Sequence, residues 1–585
     1  MTHNPQETRV AYFSMEIAID AEIPTYSGGL GVLAGDMLRS AADMEVPMVA
    51  ITLVHHNGYF QQKLDAKGNQ VEQPEPWNPS QHAEAMEPCT SVMIEGRTVR
   101  LRAWRYWVRG ISDHAIPVYL LDSRLPENSS WDQTLTNNLY GGDAHYRLCQ
   151  EVILGMGGAK MLEALAYTGI TSYHMNEGHA ALLAVGLLER DLGEGNLHRA
   201  TEGDIEKVRR RCVFTTHTPV PAGHDQFPRD LVRRVLGEER SSVLDVTHCC
   251  PEQVLNMTFL ALRFSHYING VAMHHGEVSR GMFPQYPIRA ITNGVHAASW
   301  IAPSFQSLFD QHVPEWRYDN LYLRYAIGIP LEEIRSAHLA AKGHLFQEIS
   351  ERCGVQLNKS VLTMGFARRA ATYKRADLLF SDLERLRRIA RQVGALQIVY
   401  AGKAHPHDEG GKSLIRHVYQ AATALNNDTI RVLYLENYEL ALARLMTSGV
   451  DLWLNTPQRP QEASGTSGMK AALNGIPSLS VLDGWWIEGC LEGVTGWAIG
   501  QDENIPRDPS EESASLYQKL ESVIVPMYYG RPSSYAAVMR SAISVNGSFF
   551  NTHRMLDQYV NNAYFPREHS AGIPALARDA TGSAE

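Results

Sequence analysis

A lysine at the end of a loop of small residues is the first candidate for chemistry in this sequence. The segment 462–470, EASGTSGMK, follows an apolar run that ends at Leu454. Small residues expose backbone N–H groups, and a helix beginning here would add positive potential, so the loop suits an anion. Lys470 beside such a site could form an imine with a phosphate-bearing aldehyde. On the residues alone, a glycine-rich turn with a solvated lysine is the more common structure.

A cluster of cations follows another predicted strand. The segment 365–375, GFARRAATYKR, contains Arg368, Arg369, Lys374 and Arg375. A charged helix face would have the same composition, but ligands in α/β folds bind at strand ends, where this cluster lies. Arginine offers a fork to phosphate and lysine a point charge. Because two phosphates in contact repel each other, a site for both would need several cations.

A third segment, YSGGLGVLA at 26–34, precedes a predicted helix that ends near Asp43. Gly28 and Gly29 would let the backbone approach an anion closely. The glycine spacing also resembles a dinucleotide-binding fingerprint. That alternative is rejected because the preceding residues form a poor strand and no acidic residue lies in 46–58 to hold a ribose.

Histidines that lie close together in the sequence do not indicate a metal site. The pairs His405 with His407 and His274 with His275, and the His-Cys-Cys run at 248–250, each lack a complete set of ligands. We therefore expect no bound metal.

These segments require strands and helices that bring them together. Short apolar runs alternate with longer helical patterns, which predicts an α/β fold with parallel sheets covered by helices. An irregular segment at 300–318 divides it into two Rossmann-like domains facing a central cleft, 1–315 and 316–566, followed by a flexible tail at 567–585. Helices are predicted at 147–166 and 375–393, and strands at 46–54, 116–122, 170–176, 212–217, 289–293, 361–367, 396–401, 430–435, 451–454 and 478–482.

The composition is that of an ordinary globular protein and excludes several classes. The 585 residues are too many for one core, and 44% of them are hydrophobic and 20% charged. A net charge of −11 argues against nucleic-acid binding. The seven cysteines are widely spaced without a C-x-x-C motif, which indicates a reducing compartment. No signal peptide or membrane-spanning run is found, so we expect a cytoplasmic protein that does not bind membranes.

The three segments together resemble the α-glucan (glycogen, starch, maltodextrin) phosphorylase family in its short form. The likeness extends from about residue 11 to residue 566, and the motifs occur in the family's order. Further matches are NEGHAAL at 176–182, TTHTPVPAGHDQFP at 215–228, LNMTFLALRFSHYINGVAMHH at 255–275, ITNGVHAASW at 291–300 and ENYELA at 436–441.

The resemblance implies a role for each matching residue. Lys470 matches the lysine that holds pyridoxal 5'-phosphate as a Schiff base, and Arg368, Gly465, Thr466, Ser467 and Tyr438 match the surroundings of that cofactor. Lys374, Arg369, His217 and Glu462 match, together with Lys470, the catalytic set. Matches to residues that contact the substrate phosphate or the sugar are Gly28, Gly29, Asn293, Tyr373, Ser464, Gly465, Glu177 and His179.

The family's activity is the phosphorolysis of non-reducing glucan ends to glucose 1-phosphate with retention. The resemblance implies that the cofactor's phosphate relays a proton to inorganic phosphate, so no pair of catalytic carboxylates is required. It implies the two-domain GT-B architecture of glycosyltransferases. The implied partners are an α-glucan or maltodextrin, inorganic phosphate, glucose 1-phosphate and a second copy of the chain in a homodimer.

The sequence departs from the long members of the family in three places. Glu439 stands where they carry arginine, and Ala371 and Thr372 stand where they carry His-Glu. Fewer than a dozen residues precede the first matched motif, so control by N-terminal phosphorylation or by an allosteric nucleotide is not expected.

Two other functions fit part of the sequence. A sugar-nucleotide glycosyltransferase would share the fold and could use Glu462, since fold alone does not determine function. A non-catalytic glucan-binding protein descended from the family would explain the departures at Glu439 and Ala371. The lysine at the end of the small-residue loop favours the phosphorylase over both.

Overall fold

A computed structural model of the chain describes residues 4–246, 249, 253–427, 429–500 and 509–566. The predicted tail at 567–585 lies outside the described residues, as do His248 and Cys250 of the His-Cys-Cys run. No helix within the described ranges combines the length and apolarity that a bilayer span needs.

The first half of the chain builds one large twisted sheet. Its strand order is β14-β13-β10-β9-β1-β2-β8-β7-β5, with β6 paired to β7. Neighbours from β14 to β8 are parallel, and the pairs that involve β7 are antiparallel. The strands of this half, including two separate two-stranded antiparallel sheets (β3 with β4 and β11 with β12), are β1 (Val10–Ser14), β2 (Met48–Leu53), β3 (Gln61–Leu64), β4 (Gln70–Gln73), β5 (Glu84–Ala85), β6 (Thr90–Ile94), β7 (Arg97–Arg109), β8 (Ala115–Asp122), β9 (Ser172–Asn176), β10 (Cys212–Thr215), β11 (Gln226–Pro228), β12 (Val254–Asn256), β13 (Tyr267–Gly270) and β14 (Ile288–Ala290).

The parallel strands of this sheet are buried on both faces. Every residue of β1, β2 and β9 is buried. Such strands need helices on each side, which explains their continuous apolar runs. The helices of this half are α1 (Gly29–Asp43), α2 (Ala144–Val152), α3 (Gly158–Ala164), α4 (Leu182–Leu192), α5 (Glu202–Arg209), α6 (Arg229–Leu236), α7 (Glu238–Val246), α8 (Met257–Arg263), α9 (Met273–Met282), α10 (Ala297–Trp300) and α11 (Pro303–His312).

The second half builds a smaller sheet in which all pairs are parallel. The strand order is β17-β16-β15-β18-β19-β20. The chain therefore moves outward from β15 in one direction and then from β18 in the other, so these neighbours form a topological switch point. The strands are β15 (Leu362–Ala367), β16 (Leu396–Ala401), β17 (Ile430–Leu435), β18 (Leu452–Asn455), β19 (Ser478–Val481) and β20 (Gly496–Ile499).

Helices cover this second sheet as well. The longest of the described helices, α12, ends at a left-handed Gly354 that accommodates the chain reversal. The helices of this half are α12 (Leu331–Cys353), α13 (Leu383–Gln392), α14 (Glu409–Leu425), α15 (Leu440–Gly449), α16 (Ser467–Leu473), α17 (Trp486–Gly489), α18 (Pro509–Lys519), α19 (Val525–Gly530), α20 (Pro532–Ser541) and α21 (Thr552–Tyr559).

The predicted elements agree with the structure best in the second sheet. Strands β16 and β17 have the predicted bounds. The predicted helix 375–393 is wrong in its first eight residues, because α13 begins only at Leu383. Arg375 is in the left-handed conformation, with φ 46°, and donates hydrogen bonds to Thr456 O and Pro457 O. These tertiary bonds, with an ion pair to Glu512, override the local helical pattern.

The end of the described chain returns to the first sheet. The Tyr564 hydroxyl lies 2.6 Å from His174 Nδ1, and the Tyr559 hydroxyl lies 3.0 Å from Thr215 Oγ1 and 2.9 Å from Asn269 Nδ2. Residues 552–564, predicted to belong to the second domain, therefore complete the core of the first half. The two sheets are separated in the sequence between β14 and β15, where the boundary at 315/316 was predicted.

The hairpin of β3 and β4 connects the two sheets. Gln62 Nε2 donates to Gly402 O at 2.7 Å, and Gln70 Nε2 donates to Ala404 O at 2.9 Å. Both acceptors follow the end of β16. The edge of the second sheet where ligands are expected is thus in direct contact with the first half of the chain.

Candidate active site

The cation cluster and the lysine loop both lie at the switch point of the second sheet. The cations follow β15, and the loop at 456–466 follows its neighbour β18. The carboxyl ends of parallel strands meet at one edge, so segments about 90 residues apart are brought together. This position is the usual ligand site of an open α/β sheet.

Glu462 joins the two segments. Its Oε2 accepts a hydrogen bond from Arg368 Nη2 at 2.6 Å and another from Lys374 Nζ at 2.5 Å. Burial favours the neutral acid, but the two cations outweigh it and lower the pKa of Glu462 to about 2. With this pKa, the carboxylate is ionised at every physiological pH. Because both cations bond to the same oxygen, the carboxylate also holds them close to each other.

Arg368 retains donors that the described residues do not use. Its Nε and Nη1 are buried and have no hydrogen-bond partner in this part of the chain. Buried N–H groups of a guanidinium are costly to leave unpaired, so they mark a place where an anion would bind. Tyr438 lies nearby: burial raises the pKa of its hydroxyl, and the charge of Arg368 opposes that shift.

Arg369, Tyr373 and Lys374 form the second part of the cluster. Lys374 Nζ lies 4.4 Å from the ring centre of Tyr373, a cation–π contact. Burial raises the pKa of Tyr373, but Lys374 and Arg369 more than offset this and lower it. Burial alone would lower the pKa of Arg369, but the neighbouring Tyr373, Tyr59 and Glu16 raise it. Glu16 and Tyr59 belong to the first half, so the cluster faces both halves of the molecule.

Lys470 lies in α16 among a different set of neighbours. Its Nζ is 4.0 Å from the centre of the Trp300 ring, and the residue is 7% exposed. Burial lowers the pKa of Lys470 to about 8; Asp36 opposes this shift and Arg444 adds to it. A fraction of the amine is therefore unprotonated near neutral pH, which is the form that attacks a carbonyl.

The loop before Lys470 is shaped by a glycine and contains an unpaired hydroxyl. Gly465 has φ +84°, which a side chain rarely adopts. Ser464 Oγ is buried without a partner among the described residues. Thr466 precedes the first residue of α16 and its side chain makes no capping bond, whereas Ser467 Oγ accepts from Trp453 Nε1 at 3.1 Å. Ser464 and Thr466 are thus freer to bind a ligand than Ser467.

The glycines at the start of α1 face open space. A Cβ at Gly28 or Gly29 would meet nothing within 4 Å, although one at Gly31 would lie 2.7 Å from Glu16 Oε2. Glu16 Oε2 accepts from Ser27 N at 2.5 Å and Gly28 N at 3.2 Å. Packing therefore explains Gly31, while Gly28 and Gly29 border a space that a ligand could fill.

A separate polar cluster at the edge of the first sheet is well satisfied. Glu177, with φ 73°, accepts from His217 N at 2.7 Å, Thr218 Oγ1 at 3.1 Å and Gly178 N at 3.1 Å. His217 Nε2 lies 2.7 Å from Asn176 Oδ1, to which it must donate. Burial, with repulsion from other histidines, lowers the pKa of His217 to about 3, so the ring is neutral.

The two remaining predicted residues lie in different surroundings. His179 Nε2 is 3.2 Å from Asp225 Oδ2, and its ring packs edge-on against Tyr140. Asn293 Oδ1 is buried without a partner within the described ranges. His179 Nδ1 is likewise buried without a partner in the described part of the chain, so each residue keeps one atom for a ligand, although His179 is also paired with an acid.

The departure at Glu439 has a local explanation. Its carboxylate caps α15 by accepting from Ala441 N at 2.8 Å and Leu442 N at 3.1 Å. Such a cap satisfies two of the free N–H groups of the first turn and complements the helix dipole. An arginine at this position could not accept these bonds.

Several neighbours of these groups were not predicted from the sequence. Trp300 lies in the matched segment 291–300, and Glu16 lies within the range of the likeness that begins near residue 11, so the resemblance could have identified both. No local sequence pattern marks Asp36 or Arg444 as part of the site. Asp483 accepts from Glu462 N and Gly484 N, each at 2.9 Å, and burial raises the pKa of its carboxyl to about 6.

Comparisons with known proteins identify the family. The family model described as carbohydrate phosphorylase matches residues 15–106 and 224–492. The maltodextrin phosphorylase of Thermococcus litoralis is 38% identical, covering 95% of this chain and 70% of its own. The glycogen phosphorylases of Mycobacterium tuberculosis and Aquifex aeolicus are 35% and 32% identical, covering 96% and 95% of this chain and 71% and 86% of their own. The chain belongs to the carbohydrate phosphorylase family.

Proposed function

We propose that the protein is an α-1,4-glucan phosphorylase that releases glucose 1-phosphate, with retention, from the non-reducing ends of glycogen or maltodextrin. The observation that carries this proposal is the buried pairing of Arg368 and Lys374 on Glu462, with two Arg368 donors that find no partner among the described residues. Such a site is built to hold anions beside a polar substrate. The names of the relatives, maltodextrin phosphorylase and glycogen phosphorylase, support the choice of substrate.

The residues present fit pyridoxal 5'-phosphate as the cofactor. Lys470 offers an amine whose pKa is lowered to about 8, against the flat ring of Trp300. Arg368 Nε and Nη1 and the hydroxyl of Thr466 would hold its phosphate, near Gly465, Ser467 and Tyr438. When bound, the cofactor would supply a phosphate that exchanges a proton with the substrate phosphate.

The chain's own groups divide the remaining tasks. Arg369 and Lys374, with the backbone at Gly28 and Gly29, would hold the inorganic phosphate. Because both cations bond to Oε2 of Glu462, its Oε1 is available to accept from a sugar hydroxyl. Burial of this cluster excludes water, which favours transfer of the glucosyl group to phosphate over hydrolysis.

The first half of the chain would orient the sugar. We propose that the neutral His217 and Asn293 contact the 6-hydroxyl, and that Tyr373 contacts the 2-hydroxyl. Ser464 Oγ, Gly465, Glu177 and His179 would complete the sugar site. The two sheets would then form the two Rossmann-like domains of a GT-B glycosyltransferase, with a cytoplasmic homodimer as the working form.

The test is phosphate-dependent release of glucose 1-phosphate from maltodextrin by the full chain supplied with pyridoxal phosphate. We expect Lys470→Ala to lower turnover at least about 1,000-fold. The matched control is Lys412→Ala, because this lysine has no part in the proposed reaction. Its Nζ lies 3.0 Å from a carboxylate oxygen of Glu72, which belongs to the hairpin of β3 and β4. Normal turnover by Lys470→Ala would contradict the proposal.

Borohydride reduction and peptide mapping give a second readout. The label should lie on Lys470. Lys403 is the competing position, since burial also lowers its pKa while Glu75 and Glu439 oppose the shift. Label on Lys403, or release of glucose only from a sugar nucleotide, would support a different enzyme of the same fold.

A further inference from the structure

Asp43, His296 and His553 meet at one point although they are far apart in the sequence. His296 Nε2 lies 2.8 Å from Asp43 Oδ2, and His553 Nε2 lies 3.1 Å from the same oxygen. The three side chains come from the last residue of α1, the residue before α10 and the second residue of α21. They are nearly buried, with 3%, 8% and 8% of the side chains exposed.

The three atoms match the ligand chemistry of a divalent transition metal. Two imidazole nitrogens and one carboxylate are a common set for Zn²⁺, at about 2.0–2.2 Å from the ion. Tetrahedral ligands at that distance lie about 3.3 Å from each other. The three ligand atoms all lie within 4.8 Å of one another, so small side-chain shifts would admit an ion.

The ligands are held by a second set of bonds. Asp43 Oδ1 accepts from Ile111 N at 2.9 Å, which leaves Oδ2 for the ion. His296 Nδ1 lies 2.7 Å from Ser299 Oγ. When that ring nitrogen carries the proton and donates to Ser299, the lone pair of Nε2 points at the ligand position. Such support from outside the ligand set is typical of metal sites.

A fourth ligand can reach the cluster from solvent. A cleft of about 850 Å³ is lined by Asp43 and His296, and its other walls include Asp20, Glu84 and Arg444. Water or a small anion in this cleft could complete a tetrahedron. The three side chains differ from those proposed to bind sugar and phosphate, although Arg444 both lines this cleft and acts on the pKa of Lys470.

We propose that Asp43, His296 and His553 bind one Zn²⁺ ion, with a fourth ligand from the cleft. The ion would tie α21, which closes the first core, to α1 and to the start of α10. This proposal does not depend on the glucan phosphorylase assignment. The alternative is a network in which Asp43 accepts hydrogen bonds from two imidazole N–H groups and no metal binds.

The experiment is titration of the chelator-treated full chain with zinc ion, followed by calorimetry and thermal unfolding. We expect one tight site and a zinc-dependent rise in Tm. Asp43→Asn and His553→Gln should weaken binding at least about 10-fold, and Ser299→Ala about 10-fold. His56→Gln is the matched control, because His56 also pairs with a buried aspartate, Asp122, but is not one of the three proposed ligands. The His56→Gln protein should therefore bind zinc normally.

A ligand exchange keeps the test valid if these variants unfold. His553→Cys replaces one metal ligand by another, and its Co²⁺ form should show the absorption of a cobalt–thiolate bond. Mg²⁺ should have no effect, because it prefers oxygen ligands. Lack of a tight zinc site, unchanged affinity in Asp43→Asn and His553→Gln, or no thiolate absorption from His553→Cys would overturn the proposal.

Discussion

Two polar clusters of the molecule, around Glu462 and around Glu177, differ in how fully their groups are paired. Around Glu462, ionised groups share one oxygen, and two Arg368 donors have no partner in the described part of the chain. Around Glu177, the backbone N and the Nε2 of the neutral His217 both donate to protein oxygens. The first cluster therefore has capacity for anions, whereas the second presents a neutral imidazole held in place by its neighbours, which suits hydroxyl groups.

The largest effect is expected from Glu462→Gln. Removing this carboxylate leaves Arg368 and Lys374 buried without their counter-ion, which should cost about 3–5 kcal/mol of stability. Activity should fall about 100-fold or more. Added phosphate or sulfate should restore part of the lost stability, because an anion can take the place of the carboxylate; kcat/KM and Tm measure the two effects.

Glu512→Gln provides the comparison for this variant. Glu512 is also buried and pairs with Arg375, which binds loop carbonyls instead of facing the cluster. It should lose stability without rescue by anions. Equal rescue of both variants would mean that the Glu462 cluster has no particular capacity for anions.

A smaller effect concerns acid stability and His217. The folded pKa of His217 is about 3, below its usual value of 6.5, because the ring is buried. The unfolded chain therefore binds more protons between pH 6.5 and pH 3, and stability falls as the pH is lowered through that window. Between pH 7 and pH 4, His217→Gln should remove at most about 3 kcal/mol of this loss.

Urea unfolding of both proteins at pH 7 and pH 4 measures that difference. The exposed His407 supplies a control, since His407→Gln should keep the acid sensitivity of the parent. If His217→Gln were as acid-sensitive as the parent protein, the neutral state of the folded His217 ring would be disproved.

The smallest effect on stability should come from Gly28→Ala. Its new Cβ meets nothing within 4 Å, and its φ of −164° suits any residue, so stability should change by less than about 0.5 kcal/mol. The KM for phosphate should rise, because the methyl group enters the proposed ligand space. Gly31→Ala should instead cost about 1–3 kcal/mol by collision with Glu16 and Tyr26. Thermal unfolding and phosphate kinetics separate the two, and an unchanged KM in Gly28→Ala would remove this glycine from the site.

Local pattern predicted much of the second sheet and of the site segments. Strands such as β16 are continuous apolar runs between helices, so their bounds were predictable. The helix predicted from residue 375 failed because contacts of Arg375 with a loop 81 residues away decide its backbone. Strand β1 at Val10–Ser14 was missed, although all its residues are buried.

Neighbours that are distant in sequence were beyond the reach of pattern analysis. The loop of Lys470 has a recognisable composition. No such pattern marks Asp36 or Arg444, although both change the pKa of the Lys470 amine. Asp43 is 253 residues from His296 and 510 from His553, so no spacing motif links them. Only the path of the folded chain brings such groups together.

The return of α21 to the first sheet has a consequence for biosynthesis. Met555, Leu556 and Tyr559 pack with residues as early as Val10 and Tyr12. During translation, the first half emerges from the ribosome long before the helix that covers it is made. Its apolar surface must stay exposed until residue 564 has been synthesised, so this half completes its core only after that residue has left the ribosome.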